Sequence, residues 1–239
     1  MLCYVTDRHA LSIANPADSL AALTRKIEQV IDAGIDWVQI REKDLPAREL
    51  ASLTRQALAI AAKYSAKRSS TVRVLVNDRL DTAIAERANG VHLGERSLPV
   101  MEAKRFINAA LPKQGAGESM LVGASCHSTE AAQAAERDGA DYIFFGPTFT
   151  TPSKESFGPP HGLERLAQVC RAVKLPVLAI GGIELKNAES CLAAGAAGIA
   201  AIRLFQYAVE LSRVVRPLHQ LVTVSRHQGP ADRIGRCRQ

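Results

Sequence analysis

The chain alternates short apolar runs with longer stretches of helical periodicity, and this alternation repeats eight times. The apolar runs, which predict strands, are residues 2–5, 37–40, 72–76, 90–93, 120–124, 141–145, 177–180 and 198–201. The helical stretches that follow them are residues 17–33, 46–65, 79–88, 98–110, 128–138, 163–173, 185–194 and 203–223. Strands that alternate with helices form a parallel sheet, and eight such units fit a closed barrel better than an open sheet. The sequence therefore predicts an α/β fold, a single (β/α)8 TIM barrel over residues 1–223.

Four similar segments support the barrel. Residues 34–38, 87–91, 139–143 and 195–199 each end a predicted helix and begin a predicted strand. Three of the four start with the glycine that is common just past a helix. Their spacing of roughly 50 residues is that of two strand–helix units in a barrel.

Composition and charge exclude several classes of protein. Apolar residues make up 47% and charged residues 23% of the chain, as in ordinary globular domains. No apolar run approaches the ~18 residues of a membrane helix, and the chain begins with a strand-like run rather than a basic leader. We therefore expect a cytoplasmic protein without a membrane partner. Five widely spaced cysteines without a Cys-x-x-Cys pair predict neither disulfides nor a zinc site.

The net charge of +6 does not predict a nucleic-acid partner, because it is concentrated at one end. Residues 224–239 contain four arginines and one aspartate, which is half of the excess. A short basic segment with glycine and proline is typical of a solvated chain end. We predict that residues 224–239 are a flexible basic tail, and the pattern makes no prediction about the oligomeric state.

The loop after the sixth predicted strand is rich in groups that bind phosphate. It reads Gly-Pro-Thr-Phe-Thr-Thr-Pro-Ser-Lys over residues 146–154, so backbone N–H groups, the hydroxyls of Thr151 and Ser153, and the Lys154 ammonium follow one strand. Such groups together form a phosphate or pyrophosphate site, although a polar surface loop has the same composition. Residues 148–162 form the longest connection without periodicity, which predicts a lid.

Polar residues also follow the second and third strands. Alternation places Gln39, Arg41 and Lys43 on one side of the chain, where two cations would be costly without an anion. Alternatively, Arg41 pairs with a carboxylate, Asp7 or Asp78. At the end of the third strand, Asp78 has the chemistry to bind Mg²⁺, to pair with an arginine or to cap the next helix.

Three further strand ends carry candidate groups. Ser125 can donate to a phosphate, and His127 is either an acid–base group or part of a helix start. After the seventh strand, two consecutive glycines at 181 and 182 allow backbone N–H groups to approach an anion. The loops after strands seven and eight are the recurring phosphate site of this fold, which adds residues 202–203 to the candidates.

Taken together, the strand-end motifs resemble the thiamine phosphate synthase/TenI family over about residues 2–205. The motifs are Tyr-Val-Thr-Asp at 4–7, Gln-Ile-Arg-Glu-Lys at 39–43, Asn-Asp-Arg at 77–79, Gly-Val-His-Leu-Gly at 90–94, Gly-Pro with Thr151 and Lys154, and Ala-Ile-Gly-Gly-Ile at 179–183. The family includes a synthase that couples hydroxymethylpyrimidine pyrophosphate to thiazole phosphate with Mg²⁺. The resemblance implies this activity, a transferase with phosphate and pyrophosphate substrates, in which the bond to pyrophosphate breaks first.

The resemblance also implies a role for each matching residue. Around the departing pyrophosphate it places Asn77, a metal held by Asp78, and three cations. The cations are Arg41, Lys43 and Lys154. Around the two reacting rings it places Gln39 on the pyrimidine, Ser125 at the leaving group or as a base, and the lid residues Thr151 and Ser153. The thiazole phosphate is then held by Gly182 and by the backbone of Ile202 and Arg203.

One loop departs from the synthase pattern and leaves two alternatives open. After Gly94 the synthase usually has Gln-x-Asp, whose aspartate is a second Mg²⁺ ligand, whereas this chain has Glu95, Arg96 and Ser97. In this chain, Glu95 or Ser97 would have to take the place of that aspartate as the second metal ligand. The Ser-Leu-Pro form resembles the TenI branch, a metal-independent thiazole tautomerase that uses a histidine matched here by His127. A non-catalytic sensor of thiazole or thiamine phosphate is the third interpretation, and the intact synthase motifs favour the synthase.

Overall fold

The computed structural model describes residues 1–11, 15–67, 70–111, 119–151 and 159–227. Within these ranges eight parallel strands close into a barrel in chain order, with β1 paired to both β2 and β8. The strands are β1 (Leu2–Val5), β2 (Trp37–Ile40), β3 (Arg73–Asn77), β4 (Gly90–Leu93), β5 (Leu121–Cys126), β6 (Tyr142–Phe145), β7 (Val177–Ile180) and β8 (Gly198–Ala201). The predicted (β/α)8 barrel is confirmed.

Helices follow the strands around the outside of the barrel. They are α1 (Ser19–Ala33), α2 (Ala47–Ser65), α3 (Leu80–Ala85), α4 (Val100–Ala110), α5 (Thr129–Arg137), α6 (Gly162–Ala172), α7 (Leu185–Ala193), α8 (Arg203–Gln206) and α9 (Ser212–His227), with 3-10 turns at Arg8–Ala10 and Pro16–Asp18. None of the helices in the described ranges is both long enough and apolar enough to cross a membrane.

The prediction of one helix over 203–223 is wrong, because this stretch forms α8 and α9. Phe205 of α8 is fully buried, and so is the stripe of Val215 and Leu218 on α9. At the turn angle of an α-helix, Phe205 would point roughly 100° away from that stripe in one straight helix. The chain breaks so that both faces reach the core. Helix α9 then continues to His227, past the predicted barrel end, and residues 228–239 of the predicted tail lie outside the described residues.

Side chains on successive strand residues point alternately to the barrel interior and to the helices. One buried cluster fills the interior and comprises Cys3, Val5, Trp37, Leu75, Tyr142, Phe144, Leu178 and Ala200. A larger apolar cluster packs the outer strand faces against the helices. On β2 and β3, the interior positions two residues after Trp37 and Leu75 are polar, Gln39 and Asn77 respectively. This alternation places the polar layer of the barrel mouth on top of the packed interior.

Gly123 makes room for the ring of Tyr142 in the barrel interior. It pairs with Tyr142 across β5 and β6, and a Cβ atom at Gly123 would lie 2.0 Å from Cζ of that ring. Tyr142 crosses this gap and meets Trp37 edge-on, with ring centroids 4.8 Å apart. The missing side chain at position 123 therefore brings the Tyr142 hydroxyl to β4.

Candidate active site

Asp78 is the hub of polar contacts at the barrel mouth. It follows β3 with a φ of 60°, a left-handed conformation in which short polar residues are enriched. Its carboxylate accepts hydrogen bonds from the Ser97 hydroxyl, from the Gly94 N–H at 3.0 Å and from the Asn77 amide at 2.7 Å. The Lys43 ammonium lies 3.9 Å away. The loop after β4 and the end of β3 therefore hold one carboxylate in a fixed orientation.

These donors also determine the charge of Asp78. Burial raises the pKa of its carboxyl group, but hydrogen bonds from Ser97 and Gly94, the charge of Lys43 and the Asn77 amide together outweigh burial and hold the pKa below its ordinary value. Asp78 is thus an anion at neutral pH, as a metal ligand must be.

The second strand contributes the residues that its motif predicted. Gln39 donates from Nε2 to the Asn77 side-chain oxygen at 2.9 Å, which links β2 to the Asp78 hub. No ion pair within the described ranges involves Arg41, so the alternative pairing of Arg41 with Asp7 or Asp78 is wrong. The Asp7 carboxylate instead accepts from the His9 N–H at 3.2 Å. A cation is therefore left without a carboxylate partner beside the mouth.

The buried Glu42 orders the backbone beneath Arg41. It accepts a hydrogen bond from the Thr6 hydroxyl at 2.6 Å, and that hydroxyl accepts from the Arg41 N–H at 2.9 Å. Glu42 also pairs with Arg8, whose guanidinium lies 3.1 Å from it. The acid in the second-strand motif is therefore structural, and it sets the position from which Arg41 leaves the strand.

His92 is the interior residue whose role the sequence did not predict. It is 1% exposed, with Nε2 lying 2.9 Å from the Ser125 hydroxyl and Nδ1 lying 3.1 Å from the Tyr142 hydroxyl. Burial lowers the pKa of His92 to about 3, helped by the nearby Arg41 and opposed by Asp78. The ring is thus neutral and fixes the predicted Ser125 in place. The signal was present in the sequence, since His92 occupies an interior position of a strand.

His127 lies at the end of β5 but contacts β6. Its Nδ1 is hydrogen bonded to the Gly146 carbonyl oxygen, and its ring lies 5.9 Å from that of His161. Because a carbonyl only accepts, Nδ1 carries the proton, and Nε2 of the neutral ring is the acceptor. His127 therefore has the tautomer of a proton acceptor whose basic nitrogen is Nε2.

The loops after β6 and β7 are bonded to each other. Thr148 donates from its N–H to the Ile180 carbonyl at 2.8 Å, and Phe149 donates to the Gly181 carbonyl at 3.0 Å. Gly182 has a φ of +66°, and a Cβ atom there would lie 2.5 Å from the Thr150 carbonyl oxygen. The close approach of the two loops requires glycine at this position.

Both ends of the predicted lid are held at the mouth. Where the loop leads into α6, the backbone N–H of His161 donates to the Pro147 carbonyl at 2.8 Å. The N–H of Gly162 donates to the Thr148 carbonyl at 3.1 Å. Thr151 is half-buried at the end of the described part of this loop. The predicted residues Ser153 and Lys154 lie outside the described residues.

Backbone donors are present where the phosphate was predicted. In the part of the chain that the structure describes, the N–H groups of Gly181 and Gly182 donate to no protein acceptor. Across the β7–β8 seam, Ile202 precedes α8 and accepts from the Gln206 N–H at 2.9 Å, and Arg203 is exposed. Two adjacent backbone donors next to a cation suit a phosphate group.

The polar side chains of the mouth suit some metal ions and not others. Over the described ranges, no group of three or more His, Cys, Asp or Glu side chains could hold a metal. Asp78 with the Ser97 hydroxyl fits a Mg²⁺ ion whose remaining ligands are substrate phosphates and water. Glu95 lies exposed in the turn after Gly94 and, among the described residues, makes no hydrogen bond with Asp78. The residues fit Mg²⁺ and do not fit a zinc cage.

A barrel mouth that combines one ordered carboxylate, neighbouring cations and backbone N–H donors is typical of (β/α)8-barrel enzymes that act on phosphorylated small molecules. The family model described as thiamine monophosphate synthase matches residues 10–205. The chain therefore belongs to the thiamine monophosphate synthase family, which confirms the family predicted from the motifs.

Similar proteins carry matching names. The thiamine-phosphate synthase of Roseiflexus sp. is 39% identical, over 84% of this chain and 79% of its own length. The thiamine-phosphate synthase of Moorella thermoacetica is 37% identical, over 84% of this chain and 88% of its own length. The structure of thiamine phosphate pyrophosphorylase from Pyrococcus furiosus superposes with a TM-score of 0.76 at 30% identity, covering 94% of this chain and 96% of that one. These relatives agree with the predicted class, a transferase of thiamine biosynthesis.

Proposed function

We propose that this chain catalyses the coupling of hydroxymethylpyrimidine pyrophosphate to thiazole phosphate, which yields thiamine phosphate and pyrophosphate. The observation that carries the proposal is the hydrogen-bonded Asp78 carboxylate 3.9 Å from Lys43, with Arg41 directly after the neighbouring strand β2. A carboxylate flanked by cations is a pyrophosphate–metal site rather than a site for a neutral substrate.

The two phosphorylated substrates are assigned to opposite sides of the mouth. The pyrophosphate lies over β2 and β3, where Arg41, Lys43 and Asn77 converge. The thiazole phosphate lies over β7 and β8, where the Gly182 N–H and the backbone of Ile202 and Arg203 are available. The thiazole nitrogen forms the new bond to the pyrimidine methylene carbon, and pyrophosphate leaves with the electron pair of the bond that breaks.

The reaction begins when the bond between the pyrimidine methylene carbon and the pyrophosphate oxygen breaks. Negative charge then grows on pyrophosphate and positive charge on the pyrimidine. Arg41 and Lys43 stabilise the leaving group electrostatically, and Lys154 of the lid is assigned the same role. Gln39 holds the pyrimidine through its side-chain carbonyl oxygen, while its amide stays bonded to Asn77. Thr151 and Ser153 complete the lid.

Asp78 would hold the metal, with the Ser97 hydroxyl as a neutral neighbour in place of a second carboxylate. When bound, Mg²⁺ neutralises charge on the departing pyrophosphate. Ser125 is assigned to the reacting groups as a hydrogen-bond donor or proton acceptor, and its bond to the neutral His92 fixes the direction of that hydroxyl.

A second candidate activity is the metal-independent thiazole tautomerase, in which His127 moves a proton. The observation that favours it is the bond from His127 Nδ1 to the Gly146 carbonyl, which leaves Nε2 as the base. This activity has no use for the ordered Asp78 hub, so we rank it second.

Two variants distinguish the candidates. Purified protein is incubated with both synthase substrates and Mg²⁺, and thiamine phosphate is quantified for wild type, Asp78→Asn and His127→Ala. If the chain is a synthase, we expect thiamine phosphate from wild type and from His127→Ala. In Asp78→Asn, the rate of its formation should fall at least about 100-fold. Asp81→Asn is the matched control, because Asp81 is an exposed carboxylate paired with Arg79.

The opposite pattern would reject the synthase. It consists of no thiamine phosphate from wild type, together with proton exchange on thiazole carboxylate phosphate that disappears in His127→Ala and persists in Asp78→Asn. Binding of thiazole phosphate with neither activity would instead support a sensor.

A further inference from the structure

A cavity of about 550 Å³ lies outside the barrel mouth, between α1, the 3-10 turn Arg8–Ala10 and α8. We call it the α1–α8 cavity. Its polar wall consists of Arg25, Lys26 and Gln29 on α1 together with Gln206 and Tyr207 at the end of α8. None of the assigned site residues that the structure describes lines it. The cavity is therefore a separate feature of the molecule.

Lys26 is the unusual residue of this cavity. It is 9% exposed, and among the described residues its ammonium group has one hydrogen-bond partner, the Ala208 carbonyl oxygen at 3.4 Å. An ammonium group has three donors, and burying it without a counter-charge is costly. Burial accordingly lowers the pKa of Lys26. Such a group is stabilised by an anion entering the cavity.

The rest of the lining has a matching composition. Arg25 adds a second cation, and no carboxylate is found among the described residues that line the cavity. The apolar part of the wall is formed by Ala10, Leu11 and Ala22. Tyr207 is 55% exposed and adds an aromatic ring to the lining. Two cations opposite an apolar wall suit a molecule that is anionic at one end and apolar or aromatic at the other.

The periodicity of α1 explains why these side chains share the cavity. Positions 22, 25, 26 and 29 fall on one helix face, at spacings of three, four and seven residues. On the adjoining face, Leu23, Ile27 and Val30 are fully buried in the core. Helix α1 therefore turns a basic stripe towards α8 while its apolar stripe holds it against the barrel.

We propose that the α1–α8 cavity binds a small organic anion, a phosphate monoester with an aromatic or apolar body, through Lys26 and Arg25. The phosphate replaces the weak Ala208 contact as the partner of Lys26, and the body packs on Leu11 and Tyr207. The volume accommodates a single-ring ester.

The cavity is connected to the mouth through α8. Gln206 lines the cavity, donates to the Asp7 carbonyl at 2.6 Å and accepts from the Tyr4 hydroxyl at 2.9 Å. Arg203, assigned to the thiazole phosphate, is the first residue of the same four-residue helix. Occupation of the cavity is thus expected to shift the KM for thiazole phosphate. This connection rests on the proposed function, whereas binding in the cavity does not.

The binding test uses phenyl phosphate as the probe and isothermal titration calorimetry as the readout. Wild type is expected to bind it more tightly than inorganic phosphate. Lys26→Met keeps the length and packing of the side chain and should weaken this binding at least about tenfold, because a hydrogen bond to a charged group is lost. Lys186→Met is the matched control, since Lys186 lies on α7 with a side chain that is 80% exposed.

Gly182→Ala separates the cavity from the mouth. It alters the assigned phosphate position after β7, so phenyl phosphate binding in the α1–α8 cavity should survive it. Acetylation followed by mass spectrometry gives a second readout, in which phenyl phosphate protects Lys26 but not Lys186. If Lys26→Met does not fold, as judged by circular dichroism, Arg25→Gln replaces it.

Three outcomes would overturn the proposal. They are unchanged affinity in a folded Lys26→Met protein, binding that disappears in Gly182→Ala alone, and inorganic phosphate binding as tightly as phenyl phosphate. None of them requires turnover, so failure of this proposal is distinguishable from failure of the synthase assignment.

Discussion

Replacing His92 by phenylalanine removes both ring nitrogens of a buried side chain but keeps a ring next to Phe144, whose centroid lies 4.2 Å away. The Tyr142 hydroxyl, on a residue that is 1% exposed, then loses its partner at 3.1 Å. A buried donor without a partner costs about 1–3 kcal/mol. For a domain of this size, each kcal/mol lowers Tm by roughly 2–4 °C. His92→Phe should therefore unfold several degrees earlier than wild type.

The double variant His92→Phe/Tyr142→Phe separates stability from catalysis. It removes both buried polar partners, and such replacements are nearly neutral, so most of the lost stability should return. The Ser125 hydroxyl still lacks the nitrogen that stood 2.9 Å away, so its direction is no longer fixed. Because a displacement of about 1 Å in an active site can cost about 100-fold in rate, we expect kcat to fall at least about tenfold in both variants.

The assay combines thermal unfolding by circular dichroism with single-turnover formation of thiamine phosphate. Tyr142→Phe alone is the control, since it keeps the bond between His92 and Ser125 and should retain near wild-type kcat. Recovery of kcat together with stability in the double variant would refute this reasoning, because His92 would then contribute packing only.

Three further predictions concern pH, the β7 loop and the metal. Because burial lowers the pKa of His92 from 6.5 to about 3, the unfolded chain binds a proton in this window and the folded chain does not, so the free energy of unfolding should fall with decreasing pH. Urea unfolding between pH 7 and 4 should show a steeper slope in wild type than in His92→Phe, with a difference of at most about 1.4 kcal/mol per pH unit. Gly182→Ala should lower Tm and raise the KM for thiazole phosphate more than Gly139→Ala does. Gly139 also has a positive φ, of +89°, but no atom lies within 4 Å of a Cβ placed there. Equal effects of the two substitutions would mean that backbone strain alone matters. Without metal, Ser97→Asp should lower Tm, because the new carboxylate repels Asp78. In a thermal shift assay, Mg²⁺ should raise the Tm of this variant more than that of wild type. A Tm that does not change with Mg²⁺ would argue against a metal at Asp78.

Much of the fold could be predicted because strand and helix periodicities are local. The apolar runs predicted five strands with the observed bounds and the other three within two residues, for example 120–124 against Leu121–Cys126. Alternation also predicted that Gln39 belongs to the mouth, since a residue two positions after the interior Trp37 must point the same way. The helix at 203–223 was mispredicted because its periodicity is compatible with one helix, whereas the core needs two buried faces in different directions.

The contacts of the site depended on the tertiary structure. Asp78 and Ser97 are 19 positions apart, and only the pairing of β3 with β4 brings the Gly94 turn onto that carboxylate. Strand order likewise places His92 next to Ser125 on the neighbouring β5.

The sequence by itself determined which residues face the mouth and which chemistry they carry, because both follow from the two-residue period of a strand and from residue type. Tertiary structure decided which donor meets which acceptor, which cation has no partner and where Lys26 is buried. Hydrogen bonds and charge pairing require distances of about 3–4 Å between atoms that are distant along the chain, and those distances exist only once the barrel has closed.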